Sequence, residues 1–393
     1  MISKRIGAAA GLLLSTSGAT MTLADEPVTI GMITTLSTGA GYLGEDVRDG
    51  FMLAVGEEGG RLGGHDVSVL IEDDGRNPGN GKQIVDRFLE REGAEIITGV
   101  IFSNVSPVVA PAALDAGAFY LTPNSAPSTF AGEKCHENYF AVAWQNDTLF
   151  EAAGTYANDL GYNNAFIMAP NYQAGKDALA GFKRYFDGEI VDEVYTQLGQ
   201  TDYAAEIARI RDADPEMVNQ FLPGGMGINF LKQYAASGLA DEIPLVLSQA
   251  SMDLRIMGAV GESAVGVRNT THWNIDFDNA ASKAFVAGFE ETYGRSPTTY
   301  AAQGYDTARL IASALSATGG KVMDDPDGFR AALKAANFDS VRGDFAFNSN
   351  NHPIQDFHGR VVGKDADGNL VNTTVGLVSA GHEDAYAELC ALN

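Results

Sequence analysis

The sequence predicts an α/β protein made of two Rossmann-like lobes with parallel sheets, and three observations point there. From Val28 onward, short apolar runs alternate with amphipathic helical stretches. The same rhythm starts again near Ala165. No low-complexity linker divides the two units, which are therefore read as lobes that exchange strands. Strand–helix alternation of this kind implies parallel sheets with helices on both faces, because a crossover that joins parallel strands is usually a helix.

In the first unit Val28–Ile33, Val67–Ile71, Glu95–Ile101 and Ala118–Thr122 read as strands. Ile84, Val85, Phe88 and Leu89 recur at helical spacing after Asn80-Gly81. Pro107–Ala116 is also helix-like, with Ser106 placed to cap it ahead of a proline at the first position. The second unit offers strands at Ala165–Met168, Ile190–Tyr195, Met217–Leu222, Pro244–Leu247 and Val265–Thr271. Its helices lie near Thr148–Asp159, Gln173–Phe186, Tyr203–Arg211 and Met226–Ser237. Beyond Asp278 come three helices, Ala281–Tyr293, Tyr300–Ala317 and Gly328–Ala336, then a short strand at Phe345–Phe347. The chain closes with a hairpin, Ile354–Lys364 and Leu370–Val378, around the Asp367-Gly368 turn.

Composition narrows the function. The chain has 393 residues, 26 Lys+Arg against 51 Asp+Glu and a net charge of −25, with no basic run. Duplex binding needs clustered cations, so nucleic acid is excluded as a partner, and an anionic membrane surface is disfavoured. With 45% hydrophobic and 20% charged residues the chain is globular rather than a disordered acidic tail.

Met1–Ala24 has the form of a secretory signal: Lys4 and Arg5, an apolar core from Ile6 to Leu14, and a small-residue cleavage site at Thr22-Leu23-Ala24. The protein is thus expected in the periplasm, cleaved near Ala24. Cys135 and Cys390 both lie in the mature part. In an exported protein two cysteines are more often one disulfide than two free thiols, and neither sits in a CxxC pair.

The motifs that suggest catalysis are weak. Gly39-Ala40-Gly41-Tyr42-Leu43-Gly44 is a formal GxGxxG, with Glu72, Asp73 and Asp74 ending the next strand. Its first glycine comes six residues after Ile33, too far for the tight turn a dinucleotide site needs, and nicotinamide cofactors belong to the cytoplasm. An exported NAD-dependent oxidoreductase is therefore the remote alternative. The six histidines are scattered, no HExxH or GxSxG occurs, and the Glu57-Glu58 and Asp324-Asp325 pairs read as surface. No enzyme, metal or cofactor is expected.

In open α/β sheets ligands bind beyond the carboxyl ends of strands. Phe102-Ser103-Asn104-Val105-Ser106 follows a strand and precedes a helix, where hydroxyls and free N–H groups make an anion site or, alternatively, a plain helix cap. Thr122-Pro123-Asn124-Ser125-Ala126 either completes that site or is an ordinary turn. Pro170-Asn171-Tyr172-Gln173-Ala174-Gly175 offers Tyr172, which either crosses the cleft to a carboxylate or packs on its own lobe. Pro223-Gly224-Gly225-Met226-Gly227 allows close backbone approach to a ligand, or a tight turn.

These loops, with Ile30-Gly31-Met32, Asp73-Asp74 and Tyr293-Gly294-Arg295-Ser296-Pro297 running into Tyr300-Ala301 and Gly304-Tyr305-Asp306, make the chain resemble a periplasmic solute-binding protein of the type I fold. The branch it resembles serves branched-chain amino acid ABC transporters, leucine-binding-protein-like. That resemblance implies two lobes, three hinge crossings and a ligand trapped on closure. The expected boundaries are 25–143 plus 272–348 for the N-terminal lobe, 144–271 plus 349–379 for the C-terminal lobe, and a tail, 380–393, packing back near the hinge. It also implies that Ser103 and the Asn124–Ser125 backbone hold a carboxylate, that Tyr172 closes from the opposite lobe with the Gly225–Met226 loop, and that Tyr305 lines the pocket.

One departure is informative. Where amino-acid binders carry an acid for the α-ammonium, this chain has Ser248-Gln249-Ala250. An ammonium buried without a carboxylate partner is costly, so Gln249 favours an acid lacking that group. Phe102, Tyr42 and Trp144 are candidate aromatic walls, as in related receptors for aromatic acids. The expectation is a monomeric periplasmic component that delivers a small carboxylate to an inner-membrane ABC permease. The ligand would be an aromatic or branched aliphatic acid, with a branched-chain amino acid still open. The alternative is a ligand sensor of the same fold that signals to a protein partner.

Overall fold

The structure is a computed structural model that describes residues 1–2 and 26–392. The signal read at Met1–Ala24 therefore lies, apart from its first two residues, outside the described residues. The first sheet comprises β1 (Val28–Thr34), β2 (Arg61–Leu62), β3 (His65–Asp73), β4 (Ile96–Thr98), β5 (Phe119–Thr122) and β6 (Tyr139–Ala141) in the order β2-β3-β1-β4-β5-β6. Apart from the β2–β3 pairing, its strands are parallel. β1 is central, and nearly every residue of it is buried, as expected for a parallel strand covered on both faces. The covering helices are α1 (Gly41–Glu57), α2 (Pro78–Glu90), α3 (Ser106–Asp115) and the short α4 (Ser128–Ala131). Strand order reverses between β1 and β4, and a crevice opens there beyond the strand ends.

Two elements depart from the sequence expectation. β4 stops at Thr98, not Ile101. Gly99 has φ 100°, and a Cβ there would lie 2.7 Å from Met32 Cγ and 2.9 Å from the Ile33 carbonyl oxygen. Only glycine turns the chain so tightly, and the turn carries Val100–Ser103 across the sheet's carboxyl end. β6 was missed because three buried residues are too few for a periodic signal.

The second lobe repeats the scheme. It contains α5 (Thr148–Asp159), β7 (Asn164–Pro170), α6 (Gln173–Tyr185), β8 (Glu189–Thr196), α7 (Ala204–Ala213), β9 (Val218–Gln220), α8 (Gly225–Ala236), β10 (Val246–Ser248), α9 (Leu254–Val260) and β11 (Arg268–Thr271). β8, β7 and β9 are parallel, and a Val218–Leu245 bridge leads on to β10 and β11. The chain then forms α10 (Ala280–Tyr293), α11 (Thr299–Thr318) and α12 (Pro326–Ala335), followed by β12 (Ala346–Phe347), β13 (Pro353–Lys364) and β14 (Leu370–His382). β13 pairs antiparallel with β11, and the expected hairpin joins it to β14. The hairpin's second strand runs to His382, four residues beyond the sequence reading. No described helix is long and apolar enough to cross a membrane.

Among the four hydrophobic clusters of the described residues, two anchor the two sheets. One joins Ile30, Met32 and Phe51 to Phe285, Ala301, Ile311 and Val341, so α10–α12 pack on the first sheet. The other joins Phe166, Met168 and Phe230 to Leu247, Val267 and Val362. The chain passes between them after β6, after β11 and between α12 and β13. Arg342 stitches the first and third of these passages together. Its guanidinium donates to the Val142 and Ala143 carbonyls (2.8 and 3.0 Å), to Gln355 Oε1 (2.9 Å) and to Asp306 (3.0 Å). A cation this buried is tolerable because a carboxylate and carbonyls accept from all three of its nitrogens.

Cys135 and Cys390 form a disulfide, Cα–Cα 5.7 Å apart. It ties the tail to the first lobe, while Tyr386 in the tail donates to Asp147 Oδ2 of the second (2.7 Å) and lies under the Arg184 guanidinium. The chain-entropy argument for a loop this long gives at most roughly 5 kcal/mol of stabilisation. A Cys135→Ser, Cys390→Ser protein should unfold at clearly lower denaturant concentration than the wild type. Coincident unfolding curves would show that the bridge contributes nothing.

Candidate functional site

A cavity lies between the crevice of the first sheet and the strand ends of the second lobe. Each wall follows from strand order. The loops after β4 and β5 bring Ile101, Phe102, Ser103 and Asn124 from the first lobe, and α1 and α11 add Leu43 and Tyr300. Trp144 and Asn146 come from the first passage between lobes. The second lobe supplies Leu149 and Phe150 of α5, Tyr172 and Ala174 after β7, Phe221 and Pro223 after β9, and Ala250 after β10. Aromatic rings dominate: Tyr172 stacks on Phe221 (centroids 6.2 Å), Phe150 meets Phe221 edge-on (5.2 Å), and Trp144 meets Tyr300 edge-on (6.4 Å).

The polar groups gather at one end. Ser103 is buried, with its Oγ 2.8 Å from Ser125 Oγ and accepting from Asn146 Nδ2 at 3.1 Å. The Ser103 and Asn104 N–H groups have no acceptor among the described residues, and they lie just ahead of the positive end of α3. The Tyr172 and Tyr300 hydroxyls likewise make no hydrogen bond among the described residues, and burial pushes both phenols up, so they stay neutral donors. None of the lining side chains is charged. The arrangement can bind an acceptor-rich end and an apolar body, and it holds no nucleophile–base pair. No group of three or more His, Cys, Asp or Glu able to hold a metal occurs among the described residues.

Of the residues singled out in the sequence, Phe102, Ser103, Asn124, Trp144 and Tyr172 line the cavity. Ser125 and Gln249 stand one layer behind. The expected Asn124–Ser125 backbone cradle is corrected: Asn124 N donates to Thr122 Oγ1 (3.3 Å) and Ser125 N to the Val100 carbonyl (3.2 Å), so the turn itself consumes both. Ser106 is not a cap either. It lies within α3, and its Oγ accepts from Ser125 Oγ at 3.0 Å. Gln249 Oε1 accepts from Thr271 Oγ1 (2.5 Å) and His272 N (3.2 Å), leaving Ala250 to face the cavity.

Tyr42 and Gly225 belong to the contact between lobes, and Met226 to the core of the second lobe. Tyr42 donates to Asp253 Oδ2 (2.7 Å), Gly225 abuts Gly39, and Met226 Sδ accepts from Gly199 N (3.1 Å). Tyr305 is the misplaced one. It packs against Phe285 in the first core, and its hydroxyl donates to Glu57 (2.8 Å). Tyr300, five residues earlier on α11 and so rotated by about 140°, occupies the cavity wall instead. Asn146 was also missed, since a polar residue in an irregular passage carries no periodic signal.

Asp253 caps α9 by accepting from Arg255 N (2.7 Å) and Ile256 N (2.9 Å), and burial raises it to about 6. A carboxyl raised above its unfolded value stabilises the fold at low pH, and that contribution is lost as the pH climbs through the folded value. Asp253→Asn, which keeps the shape and one acceptor, should therefore gain stability relative to wild type between about pH 4 and 7. A pH-independent difference in urea midpoints would contradict this.

Residues 27–367 match the family described as periplasmic binding protein. A Leu/Ile/Val-binding protein homolog 6 of Brucella melitensis is 26% identical over 366 residues, covering 89% of this chain and 91% of its own. A solute-binding protein of an R. palustris ABC transporter, solved with benzoate, is 28% identical with TM-score 0.86, covering 92% of this chain and 98% of its own. A second from R. palustris, solved with 4-hydroxybenzoate, is 28% identical with TM-score 0.85, covering 91% and 98%. Two lobes of parallel sheet, a cavity between their strand ends and these matches together place the chain in the periplasmic binding protein family, as a leucine-binding-protein-like solute-binding protein and not an enzyme.

Proposed function

We propose that the protein captures a small aromatic carboxylate in the periplasm and delivers it to an inner-membrane ABC permease. The observation that carries this reading is the cavity's lining: apolar walls that include six aromatic rings, the hydroxyl and amide groups around Ser103, and no charged side chain. A carboxylate at Ser103 would gain charge-assisted hydrogen bonds. An α-ammonium would find no carboxylate and remain unpaired, which disfavours leucine, isoleucine and valine. The benzoate and 4-hydroxybenzoate bound by the two R. palustris relatives support the same class of ligand.

Capture proceeds by hinge closure. The first lobe holds the acid at Ser103, and Tyr172 with the Pro223–Gly227 loop closes over the ring. The three passages between cores act as the hinge, with the lobe boundaries those expected from the sequence.

A thermal-shift screen of the protein with benzoate, 4-hydroxybenzoate, aliphatic acids and L-leucine tests this. An aromatic acid at about 100 times its dissociation constant should add about 2.7 kcal/mol of stability. A shift with leucine and none with aromatic acids would overturn it.

A further inference from the structure

The serine that faces the ligand end of the cavity is held by a chain of contacts that begins on the opposite lobe. Asn146 stands between them. Its Oδ1 accepts from Ala126 N (3.2 Å), which settles the orientation of the amide. Its Nδ2 then donates both to Ser103 Oγ (3.1 Å) and to Asp177 Oδ2 (2.9 Å). Asp177 lies on α6, buried, and its carboxylate collects donors from three places. Oδ1 accepts from Ser128 Oγ (2.7 Å) and Gln173 Nε2 (2.8 Å), and Oδ2 from Ser128 N (3.2 Å) and Asn146. Ser128 opens α4, whose Phe130 packs in the first lobe. One carboxylate thus joins the second lobe, the first lobe and the passage between them.

The consequence is felt at Ser103. Ser125 Oγ donates to Ser106, so Ser103 shares its own hydroxyl hydrogen with Ser125 until a better acceptor enters the cavity. A hydroxyl that already accepts a hydrogen bond is a stronger donor. Asn146 supplies that bond, and Asp177, which also accepts from the Ser128 hydroxyl and N–H of the first lobe, holds Asn146 from its other side.

We propose that Asp177 is a positioning residue for ligand recognition: on closure it seats Asn146, which aims Ser103 at the ligand carboxylate. The proposal rests on the carboxylate reading of the cavity. It ties recognition to closure, so that an acid bound to the first lobe alone meets a less well aimed serine.

A double-mutant cycle with benzoate as probe tests it. Asp177→Ala should weaken binding about tenfold or more, mainly through faster dissociation. In a Ser103→Ala background the same substitution should cost less than about threefold, because residues acting through one another are not additive. Asp177→Asn keeps the volume but leaves one acceptor oxygen for four donors. It should show the same non-additivity and guards against a folding defect in the alanine variant. Additive losses would make Asp177 a simple brace between lobes and overturn the proposal while leaving the functional reading intact. Unchanged affinity would overturn it in the same way. Wild-type protein that binds no carboxylate would overturn the functional reading and this proposal with it.

Discussion

Ser103→Ala is expected to lower the affinity for benzoate by roughly ten- to a hundredfold. Hydrogen bonds to charged groups contribute about 1.5–3 kcal/mol, and about 1.4 kcal/mol is a factor of ten. The loss should stand toward the upper end, because the substitution removes more than one contact. It deletes the hydroxyl that would meet the carboxylate, strips Asn146 Nδ2 of one acceptor, and leaves Ser125 without its 2.8 Å partner. A titration followed by Trp144 fluorescence would measure it, since that indole lies on the cavity wall. Unaltered affinity would reduce Ser103 to a member of an internal serine network.

Gly225→Val should be as damaging by a different route. The two lobes meet at glycines: a Cβ on Gly225 would lie 3.1 Å from the Gly39 carbonyl oxygen, and one on Gly224 would lie 3.2 Å from Ala40 Cβ. A valine at the first position of α8 is compatible with the helix but not with that approach. Overpacking costs typically about 1–3 kcal/mol, and here the cost falls on the closed form alone. Benzoate affinity should drop roughly tenfold or more while the unliganded protein keeps its thermal midpoint. Small-angle scattering should show a ligand-saturated variant more extended than ligand-saturated wild type. Equal scattering and equal affinity would mean that the glycine contact plays no part in closure.

Much of the fold was legible because strand–helix alternation is a periodic signal. Thr148–Asp159 was read to the residue as a helix, and the Asp367-Gly368 hairpin was found from its turn. Where the reading failed, the cause was local. Glu95–Ile101 continued as a strand in pattern, yet Gly99 ends it, and that break delivers Ser103 to the cavity. The site was legible at strand ends, where Phe102, Ser103, Asn124 and Tyr172 lie. It was not legible where placement depends on helix rotation, as with Tyr300 against Tyr305, or on contacts between distant segments, as with Asn146 and Asp177. The wall that lacks a charge was foreshadowed by Ser248-Gln249-Ala250. In the structure Ala250, rather than the glutamine, meets the cavity, and the whole lining, not Gln249 alone, leaves an ammonium without a carboxylate.

A cavity with no charged lining should take an aromatic acid and refuse one that carries an α-ammonium. Calorimetric titration of the purified protein with benzoate and, separately, with L-leucine decides this. Saturable heat is expected with benzoate and none with leucine. Saturable binding of leucine with no response to benzoate would contradict it.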